Sequence, residues 1–577
     1  MKTLKNMLEL FDGSEKKRLI ILLFLATISA FFETLGVVSI MPFVYLISDP
    51  KIIETNVIFS YFYQSSYIFG IDNFKKFLFL TGIVIILFII FSFCVRGLAQ
   101  YFLIRFALMR EYTISKRLFL SYLTRSYSWF IGQNISNLGK NILSQVSEVV
   151  NGAFLGILNV IVNVILSAAL LLMLFILDYK LALIIILVLI SAYLIIFFFF
   201  KKILFIVGEE RLKADKNRHA ITREAFDAFK DVKIRGLEKF YVDTFSKYAE
   251  IYADKVSFAQ IIGLLPRYFI EGISLAGLIF LVLVVTGRES DYVKVFPVVA
   301  VYIFAGYRLL PALQQIYYGA TQIRYSKIAL YSLHEDLTRF KPLKYIVNQE
   351  EKITLAKSIV LKNVYFNYSN SKNILLKNIN LTIPAFNKIG IVGATGSGKT
   401  TLVNIILGLI EPDKGNLYVD GLIINSNNVR NWQKNIGYVP QQIYLSDNSI
   451  ASNIAFGVDI SKINYQAVEE AAKIANLHDF VTKELPDKYK TIVGERGVRL
   501  SGGQCQRIGI ARAVYHKPQL LILDEATNAL DNLTEEEVME SIDSLSNKIT
   551  IILITHRLSA LKNFNKIFLL DEGHLKS

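Results

Sequence analysis

The chain has 577 residues, 53% of them hydrophobic, with a mean hydropathy of +0.42 and a formal charge of +15. That length is too great for one domain, and that apolarity excludes an ordinary soluble enzyme. The positive charge fits Lys and Arg on the inner loops of a membrane protein rather than nucleic-acid binding, because no basic-aromatic nucleic-acid motif occurs.

In chain order, Leu4, Met7, Leu8 and Phe11 recur at helical spacing among lysines. They predict an interfacial helix on the inner leaflet over residues 1–18. Six apolar runs follow, at 19–47, 77–107, 153–177, 181–200, 258–286 and 293–318, each offering the ~20 residues a helix needs to cross a bilayer. The first is no cleaved signal peptide: it is too long, contains Glu33 and lacks a small-residue cleavage site. Together these runs predict a helical transmembrane domain over 19–325. In its first outer connection, about 50–70, Ile52, Ile53, Val57, Ile58, Tyr61 and Phe62 have the spacing of an amphipathic helix. Such a helix serves either to hold lipid chains or to cap the helix ends.

The inner connections are 108–152 and 201–257, and the second carries 13 Lys or Arg. Lys180 and Arg288 are the only basic residues of the short outer turns 178–180 and 287–292, so the positive-inside rule puts the N-terminus and the C-terminal half on one side. The tips near 127–132 and 226–237 are expected to dock on that C-terminal half. Residues 326–355 read as a linker, and 356–577 as a soluble α/β domain. Cys94 and Cys505 fall in different halves, which implies no disulfide framework.

Three arginines lie in or near the spans: Arg96, Arg267 and Arg308. A charge at membrane depth costs at least ~2.5–3.5 kcal/mol, so such residues face a wet cavity or a charged partner. Arg267 stands four residues before Glu271 on one helical face, which offers an ion pair. Arg96 and Arg308 have no local partner, although Glu33 is available to either across helices. The functional alternative is a basic cavity surface for a phosphate or pyrophosphate.

In the C-terminal half, Gly393-Ala394-Thr395-Gly396-Ser397-Gly398-Lys399-Thr400 matches G-x-x-x-x-G-K-[ST] in full. It lies between an apolar strand and a helical pattern opening at Thr401, the context the motif requires. The glycines let backbone N–H groups curl around phosphates at a helix N-terminus. Lys399 is suited to the β- and γ-phosphates of ATP and Thr400 to Mg²⁺. Further on, a buried strand ends in Asp524 and Glu525. Asp524 suits the Mg²⁺ shell, and Glu525 is placed to activate the attacking water as general base. Between the two motifs lies Leu500-Ser501-Gly502-Gly503-Gln504; Ala529-Leu530-Asp531 and His556 follow.

In this order and spacing the motifs resemble the ATP-binding cassette (ABC) family. The resemblance implies that two cassettes sandwich two ATPs, each phosphate loop facing Ser501, Gly502, Gly503 and Gln504 of a second copy, so the chain is expected to work as a homodimer. By the same resemblance Tyr368 stacks on adenine, Gln441 links the Mg²⁺ site to the membrane half, His556 contacts the γ-phosphate, and Gly494-Glu495-Arg496 meets the coupling loops. Cys505 and Asn528 depart from the family's common Arg and Ser, at positions that touch neither phosphate nor base. The order membrane half then cassette resembles a type IV exporter, whose spanning bundles exchange helices between copies.

A closer resemblance rests on Phe32-Glu33-Thr34 with Met41-Pro42-Phe43, on Pro266-Arg267 through Glu271-Gly272, and on Tyr307-Arg308 through Pro311. These pieces look like bacterial lipid-linked oligosaccharide flippases of the N-glycosylation and O-antigen type. The resemblance implies an inner-membrane protein that moves a polyprenyl-pyrophosphate oligosaccharide to the periplasmic leaflet, with the arginines on the pyrophosphate and sugar end and the outer helix on the membrane-lipid tail. The alternatives are an exporter of lipid A, other lipids or amphipathic drugs, and a cassette protein that gates or signals without transport. The spans exclude a nucleic-acid-remodelling cassette.

Overall fold

The computed structural model describes residues 2–50, 52–66, 73–177, 179–288, 292–338, 352–368, 375–494, 497–526, 532–543 and 548–576. The chain divides into a helical unit, Met1–Arg125 with Gln133–Lys344, and an α/β unit, Tyr345–Ser577 with the short insert Ser126–Gly132.

The helical unit opens with Lys2–Glu9, and the first spanning helix starts at Gly13. Asp12 divides the two because its side chain and that of Glu15 form a reciprocal capping box. The expected 1–18 helix is therefore two pieces. Met7, Leu10 and Phe11 are buried in protein, with Phe11 edge-on to Phe106 and Phe154, so much of the apolar face packs on the bundle. The first span runs Gly13–Val38 and resumes at Ile40–Ser48. Pro42 has no N–H for the carbonyl of Val38 and its ring crowds it, which ends the helix there.

The other spans are Phe74–Leu123, Leu155–Leu177, Tyr179–Asp227, Glu238–Arg288 and Tyr292–Tyr325. The second, fourth and fifth have 50, 49 and 51 residues, or about 75 Å at 1.5 Å per residue, more than twice the ~30 Å hydrocarbon core. They therefore continue far beyond the bilayer, as the long inner connections suggest. Their surfaces carry bare Phe79, Leu87 and Leu187, as helices that face lipid do. The third and sixth helices meet at Gly156 and Gly319, where a β-carbon on Gly319 would lie 2.7 Å from the Gly156 carbonyl oxygen.

Among the described residues the outer connection holds two short helices, Ile52–Thr55 and Val57–Ser66. One face closes over Leu46, Ile53 and Phe77, with Tyr63 edge-on to Phe77 at 5.1 Å. The other leaves Val57, Ile58, Tyr61 and Phe62 at least 60% exposed. Capping occupies one side of the helix and leaves the other free for lipid. Within the expected linker, Lys327–Thr338 is helical and buries Ala329, Leu330 and Leu333.

Among the described residues the α/β unit has ten strands: β1 Ser358–Phe366, β2 Leu376–Pro384, β3 Lys388–Val392, β4 Lys414–Val419, β5 Leu422–Ile423, β6 Ile436–Val439, β7 Leu520–Asp524, β8 Thr550–Ile554, β9 Lys566–Asp571 and β10 His574–Lys576. An antiparallel sheet is ordered β2-β1-β4-β5, and a six-stranded sheet β10-β9-β3-β8-β7-β6. In the latter β9, β3, β8, β7 and β6 are parallel. Every residue of β7 and β8 is buried, the pattern of central parallel strands covered on both faces. One core joins the helix Lys399–Ile406 to the antiparallel sheet. The other joins β7 and β8 to the helices Tyr465–Ile474 and Gly502–Tyr515. The tip helix Tyr127–Ile131, capped by Ser126, groups with this unit. The other tip, the helix Phe229–Arg235 ended by Gly236 at φ 63°, groups with the helical unit and exposes Phe229 and Ile234.

Candidate functional site

The parallel strands β3, β7 and β8 end on one edge of the sheet, and the loops leaving them carry the polar residues that the motifs single out. After β3 the chain turns through residues 393–398 into the helix Lys399–Ile406. Gly398 sits at φ 103°, open only to glycine at little cost. At Gly393 a β-carbon would collide with the carbonyl oxygen of Leu570. Ala394, Thr395 and Gly396 are exposed on the loop and Thr400 on the first turn of the helix, whereas Thr401 is buried.

Lys399 is 7% exposed, and its ammonium donates to the carbonyls of Gly393 and Ala394, both at 2.9 Å. Burial lowers its pKa, against the opposing pull of Glu525 and Asp524. Ser397 Oγ is buried without a hydrogen-bond partner. A cation curled over its own loop, with an orphaned hydroxyl beside it, fits an anion with several acceptor oxygens. Tyr368 follows β1, packs edge-on to Phe366 at 5.0 Å and has its hydroxyl 3.3 Å from Thr401 Oγ1.

Asp524 closes β7 at 5% exposure. Burial and then the neighbouring Glu525 raise its pKa. Glu525 has φ 50°, a left-handed conformation costly for a residue with a β-carbon and retained where the surroundings enforce it. Here its N–H donates to Ile554 O at 2.9 Å. Its two carboxylate oxygens have separate partners: Gln441 Nε2 donates to Oε2 at 2.7 Å, and His556 Nε2 lies 2.9 Å from Oε1. Residues from three loops, distant in sequence, thus converge on one carboxylate.

Ser501 and Gln504 form a capping box on the helix Gly502–Tyr515, Ser501 N donating to Gln504 Oε1 at 2.8 Å. Ser501 and Gly502 are exposed, and Gly503 is partly so. Among the described residues no hydrogen bond joins 501–504 to 393–401. Asp531, Asn528, Glu495 and Arg496 lie outside the described residues. Tyr438 is the residue that motif reading missed: its hydroxyl donates to Asp524 Oδ2 at 3.4 Å. The available signal was alternation along β6, which sets Tyr438 opposite Ile522, two residues before Asp524.

In the helical unit Glu33 is 5% exposed and takes ion pairs from both Arg96 and Arg308, the second at 3.2 Å. The Arg308 guanidinium also lies 4.1 Å from the Phe93 ring centroid. Two of the three arginines thus come together across the first, second and sixth spans, on one carboxylate, with a net charge of +1. The Arg267 side chain lies outside the described residues. On the neighbouring face of the first span is a groove of about 480 Å³ lined by Ala30, Phe31, Thr34, Met41, Ile165 and Met173 among others. The hydroxyls of Thr27 and Thr34 on this groove turn back to Leu23 O and Ala30 O, so the wall presents hydrocarbon.

Comparison with known proteins fits this division of the chain. Residues 376–528 match the family described as ABC transporter, and 19–287 match the ABC transporter transmembrane region. The fold and the site define an ABC transporter chain, with a membrane region followed by a nucleotide-binding ATPase domain. More narrowly, its fold is that of the ABC exporters, a membrane region followed by an ATPase domain in one sequence. An ATP-dependent lipid A-core flippase of Saccharophagus degradans is 33% identical over 360 residues, 62% of this chain and 59% of that protein. One of Haemophilus influenzae is 37% identical over 219 residues, 38% of this chain and 37% of that protein. The aligned stretches thus span under two thirds of either relative. The structure of a bacterial Atm1-family ABC exporter with ATP bound has the same fold, with a TM-score of 0.79 and 22% identity, covering 98% of this chain and 95% of that one.

Proposed function

We propose that the chain is an ATP-driven lipid flippase that works as a homodimer in the bacterial inner membrane. The observation that carries the ATPase part is the convergence of Gln441 and His556 on Glu525 beside the phosphate loop. In this reading the loop N–H groups of 393–400 hold the β- and γ-phosphates, and Tyr368 supports the adenine. Lys399 exchanges its contacts with Gly393 and Ala394 for phosphate oxygens. Glu525 accepts a proton from the attacking water, while Gln441 and His556 orient its carboxylate. Thr400, Asp524 and Gln441 are the residues to hold Mg²⁺, which when bound spreads the charge developing on the phosphates. Ser501, Gly502, Gly503 and Gln504, solvent-facing in one copy, complete the site of the second, with the N-terminus of their helix directed to phosphate.

For cargo, an amphipathic lipid with an anionic headgroup, of the lipid A-core kind, has the better support. The similarity to lipid A-core flippases at 33% extends over 62% of the chain. The net positive cluster of Glu33, Arg96 and Arg308 beside an apolar groove supports an anionic head and hydrocarbon tails, and Arg267 is the third candidate for the head. A polyprenyl-pyrophosphate oligosaccharide is the second reading, favoured by the bare aromatic face of Val57–Ser66.

The separating experiment measures ATPase stimulation of the purified dimer in nanodiscs by each lipid class. Stimulation by lipid A-core, lost on neutralising Arg96 and Arg308 together, supports the first reading. Stimulation only by the polyprenyl-pyrophosphate saccharide replaces it with the second. Stimulation by neither lipid removes both cargoes and leaves the cassette chemistry standing.

A further inference from the structure

The Asp524 carboxylate is nearly sealed from water, yet among the described residues it has a single hydrogen-bond partner, the phenol of Tyr438. The pairing of β6 with β7 explains how that phenol arrives. Tyr438 stands opposite Ile522, and side chains alternate along a strand, so Tyr438, Ile522 and Asp524 share one face of the sheet. A long aromatic side chain can reach the diagonal neighbour two residues along the adjacent strand, which here is Asp524. Three residues further on, at the strand's exit, Gln441 reaches Glu525. One short stretch, 438–441, thus holds both members of the acidic pair with two separate prongs.

The ring of Tyr438 is fixed as well as its hydroxyl. It packs on the core that includes Ile522 and the phosphate-loop helix Lys399–Ile406. Burial, and then the neighbouring Asp524, push its pKa up.

We propose that Tyr438 is a positioning residue for the metal shell: its phenol sets the orientation of Asp524. The inference rests on the reading of Asp524 as a Mg²⁺ ligand. Outer-shell partners of a metal ligand are worth about 10–100-fold in affinity, and a single long hydrogen bond of 3.4 Å belongs at the lower end.

The test uses full-length protein in nanodiscs carrying Glu525→Gln, so that ATP is bound and not consumed, with Mn²⁺ as a spectroscopic probe read by electron paramagnetic resonance. Tyr438→Phe, which keeps the ring and its packing, is expected to weaken Mn²⁺ binding about tenfold. Its affinity for ATP in the presence of a chelator and its thermal midpoint should match the parent. In an Asp524→Asn background the same change should add nothing, since the two act through one contact. Mn²⁺ binding unaltered by Tyr438→Phe, where Asp524→Asn abolishes it, overturns the inference and leaves the metal site intact. Binding unaltered by Asp524→Asn removes the metal reading itself and the inference with it.

Discussion

The two polar sites of this protein are built in opposite ways. In the cassette, Glu525 is gripped by Gln441 and His556, all on loops that leave neighbouring parallel strands at one edge. In the membrane, Glu33 is gripped by Arg96 and Arg308, all from within helices. The first site is organised by backbone: strand order puts the loops together, and turn geometry, including the left-handed Glu525, aims the side chains. The second depends on how three helices happen to be rotated, and lipid on the outside makes any error costly. Chemistry that needs fixed distances sits on the sheet, and charge that needs only a partner sits between helices.

The largest effect that sharpens this contrast is expected at Glu525. Glu525→Gln should lower phosphate release by about 10²–10⁴-fold, the usual worth of a general base, while ATP binding measured by filter retention persists. A hydrolysis rate within a few-fold of wild type would transfer the base to another residue. Next comes Glu33→Ala, which leaves two guanidiniums at membrane depth without their carboxylate. A loss of about 3–5 kcal/mol is expected, as for breaking a buried pair, read as thermal unfolding in nanodiscs with unchanged nucleotide affinity. Removing Arg96 and Arg308 along with Glu33 should recover part of it. If Glu33→Ala is as stable as wild type, the cluster is solvated and the contrast fails.

A smaller effect tests the cassette's own scaffold. The Asp420 carboxylate accepts N–H groups from Ala356, Lys357 and Ser358 at 2.7–2.8 Å. Burial works to raise its pKa, but the three donors outweigh it and the pKa is lowered. A lowered carboxylate stabilises the fold above its ordinary value of about 3.9, and the benefit disappears as the pH falls through the lower folded value. Thermal midpoints of wild type should therefore drop more steeply below about pH 4 than those of Asp420→Asn. Equal slopes would deny the carboxylate that role. Smallest of all, Asn464→Ala removes the cap that accepts Ala467 N at 3.1 Å on the helix Tyr465–Ile474, at a cost of about 1 kcal/mol with unchanged hydrolysis.

The same contrast decides what could be read from sequence. That residues 393–400, Asp524, Glu525 and His556 lie at the ends of parallel strands was legible because each motif is local, and a strand–loop–helix context fixes its backbone. The six spans were legible from apolar length. Less so was the pairing of Arg96 and Arg308: Glu33 was a candidate partner, but helix rotation is not encoded in any short spacing. Tyr438 escaped because a tyrosine in an apolar strand looks like core, and its reach to Asp524 depends on register between strands some 80 positions apart. The break at Ser39 was written in Pro42, and the start at Gly13 in the Asp12 and Glu15 capping pair.

The central claim is that ATP turnover at Glu525 drives a lipid across the membrane. Its most direct test reconstitutes the protein in sealed vesicles with lipid A-core labelled on its saccharide, and follows protection of that label from an impermeant quencher. ATP-dependent protection in wild type, absent in Glu525→Gln and reduced by neutralising Arg96 with Arg308, is the predicted result. Brisk hydrolysis with the label unmoved, for this lipid and for a polyprenyl-pyrophosphate saccharide alike, would contradict it.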